Sequence, residues 1–301
     1  MTCILSYNIQ TGGTQRTDEL ITIIKATQAD IIGLIEATNP GVAEQLAGEL
    51  GMHLRLSGQA RHEKDWHVGV LSRLPIVDVH MHARPGLLTK EHLLEVSVEE
   101  VDGTPLTVFV VHLTADFHKR AESDRIRRAE VQEILRIMAA RQGTPHLLMG
   151  DFNAIARGES FKVSQLLSYV MDPEQPYLKK YLDLAARSEL DFITRSTIRL
   201  LKTIPRNAVL STMVDSASPL YAPRAGLELL QEAGYVDCYR YMNPAKLGFT
   251  YPAQSPACRI DFIFASPELA SRLTKSYVIV KAVGVNGHKA SDHLPVCAVF
   301  S

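Results

Sequence analysis

Short runs of β-branched and aliphatic residues alternate with amphipathic stretches along the chain, and the period of each run predicts its element. Residues 3–7 (CILSY) are apolar and lead into a glycine-bearing loop at Gly12 and Gly13. Thr17, Asp18 and Glu19 then open a helix, with Thr17 suited to the cap and the two acids to the positive end of the helix dipole. The run IIGLI, closed by Glu36, reads as a strand buried on both faces. Over 41–50, Val42, Leu46 and Leu50 fall at helical spacing, and Gly51 supplies the stop. Strand-length segments follow at 52–57, 67–72, 76–81, 93–98 and 106–112, with DGT at 102–104 as a hairpin turn. A charged helix is predicted over 117–141 and a strand over 146–150 (HLLMG). RIDFIF, SYVIVKAVGV and PVCAVF supply three more strands.

Strands come in clusters with helices between them, which excludes both a strict βαβ array and a repeat protein. The segment 157–222 differs in texture, with two helical stretches at about 160–171 and 177–204 between strand-rich halves. It reads as an insertion in one domain that spans residues 1–301.

Composition narrows the class without naming it. With 46% hydrophobic and 22% charged residues, the chain is globular in type and not disordered. The 32 basic residues against 33 acidic ones argue against a grip on nucleic acid by bulk charge, and leave room for a local basic patch. The four cysteines (Cys3, Cys238, Cys258, Cys297) show no CxxC spacing and read as free, buried thiols in a reducing compartment. No basic n-region precedes the first apolar run, and no run approaches the roughly 20 residues of a membrane span. A cytoplasmic location is the expectation.

Six stretches share one layout, a polar residue at the end of an apolar strand. They carry Asn8 after CILSY, Glu36 after IIGLI, His112 after LTVFVV, and Asp151 with Asn153 in GDFN after HLLM. Asp261 in RIDFIF, and Asp292 with His293 ahead of LPVCAVF, complete the set. Strand ends are where a rigid scaffold presents functional groups. Carboxylates and an amide suit a hard cation such as Mg2+, and histidines beside carboxylates suit proton transfer or charge stabilisation. Each stretch alone has an ordinary structural explanation: a surface charge, a turn or a helix cap.

In this order, with GVLSRLPI at 69–76 and GFTYPA at 248–253, the set resembles the endonuclease/exonuclease/phosphatase superfamily. These are metal-dependent phosphoesterases related to pancreatic-type DNases and neutral sphingomyelinases. The resemblance runs from Asn8 to His293, apart from the 157–222 insertion. It implies an α/β (α+β) fold of DNase I-like type. In that fold a four-layer αββα sandwich packs two mixed β-sheets face to face between helices. By the same resemblance, Glu36 is the principal Mg2+ ligand (with Mn2+ as a substitute), and Asn8 and Asp292 lie close to the metal. Asp151 orients or deprotonates the attacking water. Asn153 donates to the phosphoryl oxygens or holds Asp151. His293, oriented by Asp261, contacts the phosphate, and His112 stabilises developing charge or aids the leaving group.

The implied activity is hydrolysis of a phosphodiester, with nucleic acid or a phospholipid headgroup as substrate. A phosphomonoesterase is the near alternative. A catalytically inactive binding module is the distant one, and the intact set of carrier residues argues against it. Many members have Gln directly before the metal-binding Glu, where this chain has Ile35. His112 matches the DNase and sphingomyelinase branches, whereas the abasic-site branch carries Tyr in that region.

The remaining features have plainer readings. Arg195, Arg199, Lys202 and Arg206 form a basic stripe on a helix predicted over 190–206. A solvated face is the simpler account, and a polyanion or anionic-lipid contact the functional one. His80 and His82 alternate on a strand and read as exposed, while His62, Trp66 and His67 either line the cleft or sit in an ordinary loop. Arg120, Arg127 and Arg128, with Glu122, Asp124 and Glu130, read as a solvated helix face.

Overall fold

The computed structural model describes residues 1–58, 67–82, 93–115, 120–172, 201–220 and 222–301. The strands are β1 (Thr2–Asn8), β2 (Ile31–Ile35), β3 (His53–Leu56), β4 (Val68–Ser72), β5 (Ile76–His82), β6 (Leu93–Glu99) and β7 (Pro105–His112). They continue with β8 (His146–Asp151), β9 (Val236–Asp237), β10 (Asp261–Ala265), β11 (Leu273–Val278), β12 (Lys281–Ala282), β13 (Val285–Asn286) and β14 (Val296–Phe300). Two six-stranded sheets result, in the orders β11-β14-β1-β2-β4-β3 and β5-β6-β7-β8-β10-β9.

Each sheet is mixed and is built around one parallel pair. The crossover helix α1 (Thr17–Lys25) connects β1 to the parallel β2, and α3 (Arg120–Met138) connects β7 to the parallel β8. Parallel neighbours need such a crossover, and it returns both strand ends to the same edge.

The strands alternate between two buried faces, which is why their sequences read as unbroken apolar runs. Ile4, Ile31, Val68 and Val70 of the first sheet face Val96, Val108, Val110, Leu147 and Met149 of the second. Leu5, Tyr7, Ile32 and Leu34 point outward onto Leu20, Ile24, Val42 and Leu46 of α1 and α2 (Pro40–Leu50). Phe109, Leu148, Phe262 and Phe264 point outward from the other sheet onto Val131, Ile134 and Met138 of α3 and onto Leu227 and Leu230. The architecture is therefore the four-layer αββα sandwich expected above. Each such buried aliphatic or aromatic side chain contributes about 1.5–3 kcal/mol against the entropy of ordering the chain. Gly33 marks a close approach of the two sheets, since a Cβ there would stand 2.7 Å from Met149 Cε.

Local signals explain most boundaries. Asn39 caps α2 by accepting from the Gly41 and Val42 amides, Pro40 opens the helix, and Gly51 ends it at φ 63°. Asp102 and Gly103 turn the β6–β7 hairpin, with the Asp102 carboxylate accepting from Thr104 N at 2.9 Å. Thr17 does not cap α1. It is already helical, and Arg16 occupies the cap position without a side-chain cap bond. SYVIVKAVGV is not one strand either, because β11 stops at Val278 and β12 and β13 form a separate small hairpin.

In the 157–222 segment, α4 (Val163–Val170) lies within the expected 160–171 helix. Residues 177–200 fall outside the described residues, and with them Arg195 and Arg199. The described end of the basic stripe tightens to a 3-10 turn at Ile204–Arg206, where Pro205 interrupts regular helix. A further helix, Ala208–Ala217, is capped by Asn207, which accepts from Leu210 N at 3.0 Å. Asp215 ties it to α4 by accepting from Ser164 N and Oγ, each at 2.9 Å. Among the described residues no helix is long and apolar enough to cross a membrane.

Candidate active site

The two crossovers deliver four strand ends to one edge of the sandwich, as expected of a site built where parallel strands terminate. Asn8 ends β1, Glu36 follows β2, His112 ends β7 and Asp151 ends β8. His112 and Asp261 are the register partners of Asp151 on either side. Asp292 and His293 lie in the turn that enters β14.

Backbone conformation sets these side chains. Glu36 sits at φ 59° and Asn153 at φ 47°, so the chain breaks strand alternation directly at the functional positions. Gly150 has φ 150°, and a Cβ there would come within 1.9 Å of Val111 O. Only glycine lets β8 close on β7 one residue before Asp151.

The polar network is continuous. The Asn8 amide NH2 donates to Glu36 Oε1 at 3.1 Å and to Asp151 Oδ2 at 3.2 Å. Asn8 Oδ1 accepts from Gln10 N at 3.0 Å, which fixes the orientation of that amide. Glu36 Oε2 accepts from Thr11 N at 2.7 Å. Asp151 Oδ1 accepts from Asn153 N at 2.9 Å, and Asn153 Nδ2 donates to Leu113 O at 3.0 Å. The Nε2 atoms of His112 and His293 each lie 3.7 Å from Asp151 Oδ2. His293 Nδ1 pairs with Asp261 Oδ2 at 2.9 Å. Ser291 joins the last two segments: its Oγ donates to Asn8 O at 2.7 Å and accepts from His293 N at 3.1 Å. Tyr251 packs its ring 4.8 Å from that of His293.

Burial and mutual charge separate the ionisation of these groups. Burial raises Asp151 to about 7, with the nearby Asp261 charge adding to the shift and His293 opposing it. Burial likewise raises Asp292, against the opposing charge of His293. Burial lowers His112 to about 3, and the positive charge on His293 lowers it further. For His293 burial opposes the charge, yet Asp261 and Asp151 outweigh it and hold the imidazole well above its ordinary value. The surroundings thus favour the neutral form of His112 and the imidazolium of His293.

The donor set fits a hard divalent cation. The Asn8 amide bridges oxygens of Glu36 and Asp151, the charge of Glu36 acts on Asp292, and Asp261 Oδ1 is buried without a hydrogen-bond partner among the described residues. Ligand atoms of Asp151, Asp261 and His293 also lie within 4.8 Å of one another. Asp261 Oδ2 and His293 Nδ1 already share a hydrogen bond, so that pair serves orientation better than coordination.

All eight residues expected from the sequence thus meet at this edge. His80 and His82 do not; they lie on the edge strand β5 and pair with Asp78 at 2.9 Å and Glu95 at 2.7 Å. His62 and Trp66 fall outside the described residues. His67 is buried, and its carbonyl accepts from the amide of Ala37, directly after Glu36, at 2.8 Å.

The reading of α3 as a solvated face needs correction. Arg127 is buried and donates to Thr114 O at 2.9 Å, while Glu130 accepts from Thr114 N at 3.2 Å and Thr114 Oγ1 at 2.9 Å. These charges anchor the loop that leaves His112. Arg259, in the RIDFIF run, carries a structural role that its flanking sequence does not signal. It is fully buried, pairs with Asp237 and Glu159 at 2.6 Å each, and lies two residues before Asp261.

A two-sheet sandwich with this set of carboxylates and histidines at one edge defines a class of phosphate-ester hydrolases. The sequence model of the endonuclease/exonuclease/phosphatase family matches residues 5–293, and the chain belongs to that family. Among curated proteins none matches the sequence. Solved structures share the fold at low identity. A 3′ phosphatase (NExo) from Neisseria, bound to product DNA hairpin, is 19% identical with a TM-score of 0.62, covering 100% of both chains. An AP endonuclease from Archaeoglobus fulgidus is 18% identical with a TM-score of 0.60, again over 100% of both chains. A humanised D. rerio TDP2 is 15% identical with a TM-score of 0.61, covering 100% of this chain and 98% of that one.

Proposed function

We propose that the protein is a divalent-metal-dependent phosphodiesterase, formed as one domain with a helical insertion, and that nucleic acid is its substrate class. The observation that carries this reading is the arrangement around Asp151. Its carboxylate touches Asn8 on one side, and His112 and His293 each stand 3.7 Å away on the other. The similarity of fold to a phosphatase bound to a DNA hairpin and to an AP endonuclease supports nucleic acid over a phospholipid headgroup.

Glu36 and Asp292 would hold the cation, and Asn8 would fix Glu36 relative to Asp151 through its bridging amide. A bound divalent cation polarises the phosphoryl oxygens and lowers the pKa of water. Phosphoryl transfer demands mainly positioning and charge stabilisation from the protein. Asp151 accepts the proton of the attacking water, a role suited to a carboxylate titrating near neutrality. His293, held by Asp261, presents an imidazolium to the non-bridging oxygens. His112 is neutral and acts as a hydrogen-bonding group, without a positive charge of its own. Asn153 holds Asp151 through its backbone amide.

The test is hydrolysis of a generic bis-aryl phosphodiester, an abasic-site duplex, single- and double-stranded DNA, RNA and sphingomyelin, with Mg2+ or Mn2+. Metal-dependent cleavage of a nucleic acid, lost in Glu36→Gln, is the expected result. Turnover of sphingomyelin alone would move the substrate class to lipid headgroups. No turnover with either metal on folded protein would favour a binding module.

A further inference from the structure

We propose that Arg16 is a positioning residue that staples the Asn8–Glu36 half of the site to the Asp292–His293 half. This rests on the metal-binding reading above and adds to it a residue outside the ordered motif set. Arg16 stands at the head of α1, where a small capping side chain is usual, yet it makes no cap bond. Its half-buried side chain turns back instead. The guanidinium donates through Nη2 to Ile9 O at 3.1 Å and to Gln10 O, and through Nη1 to Ala290 O.

Those three carbonyls belong to the two segments that carry the site. Ile9 and Gln10 follow Asn8, and Gln10 N donates to Asn8 Oδ1 at 3.0 Å. Thr11, next along, donates its amide to Glu36 Oε2 at 2.7 Å. Ala290 ends the short helix Gly287–Ala290 and directly precedes Ser291, Asp292 and His293. One planar fork therefore sets the spacing of two loops that are remote in sequence, a task that suits five fixed N–H donors and not a flexible ammonium. The negative charges of Asp292 and Glu36 both act on Arg16, so it also offsets carboxylates that would otherwise repel one another.

Two effects of opposite sign bear on metal affinity. As a cation, Arg16 repels a divalent ion, and removing it should tighten binding. As a staple, it holds the ligands in place, and removing it should loosen binding. Outer partners that orient metal ligands commonly govern affinity by about 10–100-fold, so the second effect should prevail.

The experiment titrates Mn2+ into metal-free wild type, Arg16→Ala, Arg16→Lys and Glu36→Gln, followed by paramagnetic resonance of free Mn2+, with thermal unfolding of each metal-free protein. The staple predicts affinity at least about tenfold weaker in Arg16→Ala. It predicts a comparable loss in Arg16→Lys, which keeps the charge but not the fork. Equal or tighter binding by Arg16→Ala overturns the proposal, as does wild-type affinity in Arg16→Lys. If Arg16→Ala does not fold, the Arg16→Lys titration decides alone. Absence of any Glu36-dependent Mn2+ binding in wild type overturns the metal reading itself, and this proposal with it.

Discussion

His293 and Asp261 form a buried pair, Nδ1 to Oδ2 at 2.9 Å, that turns the other imidazole nitrogen toward Asp151. Burial alone would lower the pKa of His293, and Asp261 is the leading charge that raises it. A raised histidine stays protonated above its usual range and loses its charge only as pH rises through the folded value. Asp261→Asn removes that support. The expected result is a kcat lower by about 10²-fold or more, with the alkaline limb of the pH–kcat profile displaced to lower pH. An unmoved alkaline limb would contradict the assignment of His293 as the charged partner of the phosphate.

Asp151 should link the proposed metal binding to pH. In the metal-free protein burial raises its carboxyl from 3.8 to about 7. A carboxyl raised on folding contributes stability that is complete below pH 3.8 and is lost as pH climbs through about 7. Metal-free wild type should therefore lose Tm between pH 5 and pH 8 more steeply than Asp151→Asn does, on the order of several degrees. Mn2+ should raise the wild-type Tm more at pH 8 than at pH 5, because at pH 5 the cation must displace a proton. Identical pH slopes for the two proteins would remove Asp151 from the linkage. Asp151→Asn should also cost about 10²–10³ in turnover while leaving the fold intact.

Much of the fold was legible because β1, β2, β7, β8 and β10 are buried on both faces, and such strands write themselves as apolar runs. The candidate site was legible for a related reason: Asn8, Glu36, His112, Asp151 and Asp261 are polar residues set abruptly against those runs. The supporting shell was not. Arg16, Arg127, Glu130 and Arg259 are charged residues on helices or beside strands, where sequence predicts solvent. Only tertiary pairing shows that Arg127 and Arg259 are buried, since each acts on a partner distant along the chain. Thr17 misled for a local reason, because its hydroxyl and the acids after it match a capping pattern while the helix begins one residue earlier than the cap requires. SYVIVKAVGV misled because propensity does not show where an edge strand loses its partner. The run stays β-like past Val278, the last residue paired with β14.

Arg259 carries a stability prediction. Its guanidinium is fully buried between Asp237 and Glu159, and it stacks 4.3 Å over the ring of Phe262. Removing it leaves Asp237 without its buried cation, while Glu159 keeps its pair with Arg240 at 2.7 Å, and breaking a buried pair on one side costs about 3–5 kcal/mol. Arg259→Ala should lower the unfolding free energy by that amount in a denaturant melt. It should also loosen the start of β10, so that activity falls even at temperatures where the variant is folded. A loss below about 1 kcal/mol would mean that Asp237 finds water or another cation.

Asn153 combines a backbone role with a side-chain role, and two substitutions separate them. Its amide N donates to Asp151 Oδ1 at 2.9 Å, and its side chain donates to Leu113 O at 3.0 Å, beside His112. Its φ of 47° is a conformation that asparagine and glycine tolerate and alanine resists. Asn153→Gly keeps the backbone and loses only the tie to Leu113, leaving a buried carbonyl without its donor, at about 1–3 kcal/mol. Asn153→Ala adds left-handed strain of about 1–2 kcal/mol to the same loss. Both variants keep the amide that holds Asp151, so folded samples should show similar reductions in kcat, each reflecting a slackened spacing between His112 and Asp151. Paired urea melts and kcat measurements decide it. Wild-type kcat in Asn153→Gly would confine the side chain to folding, and equal stability of the two variants would show that φ 47° carries no strain.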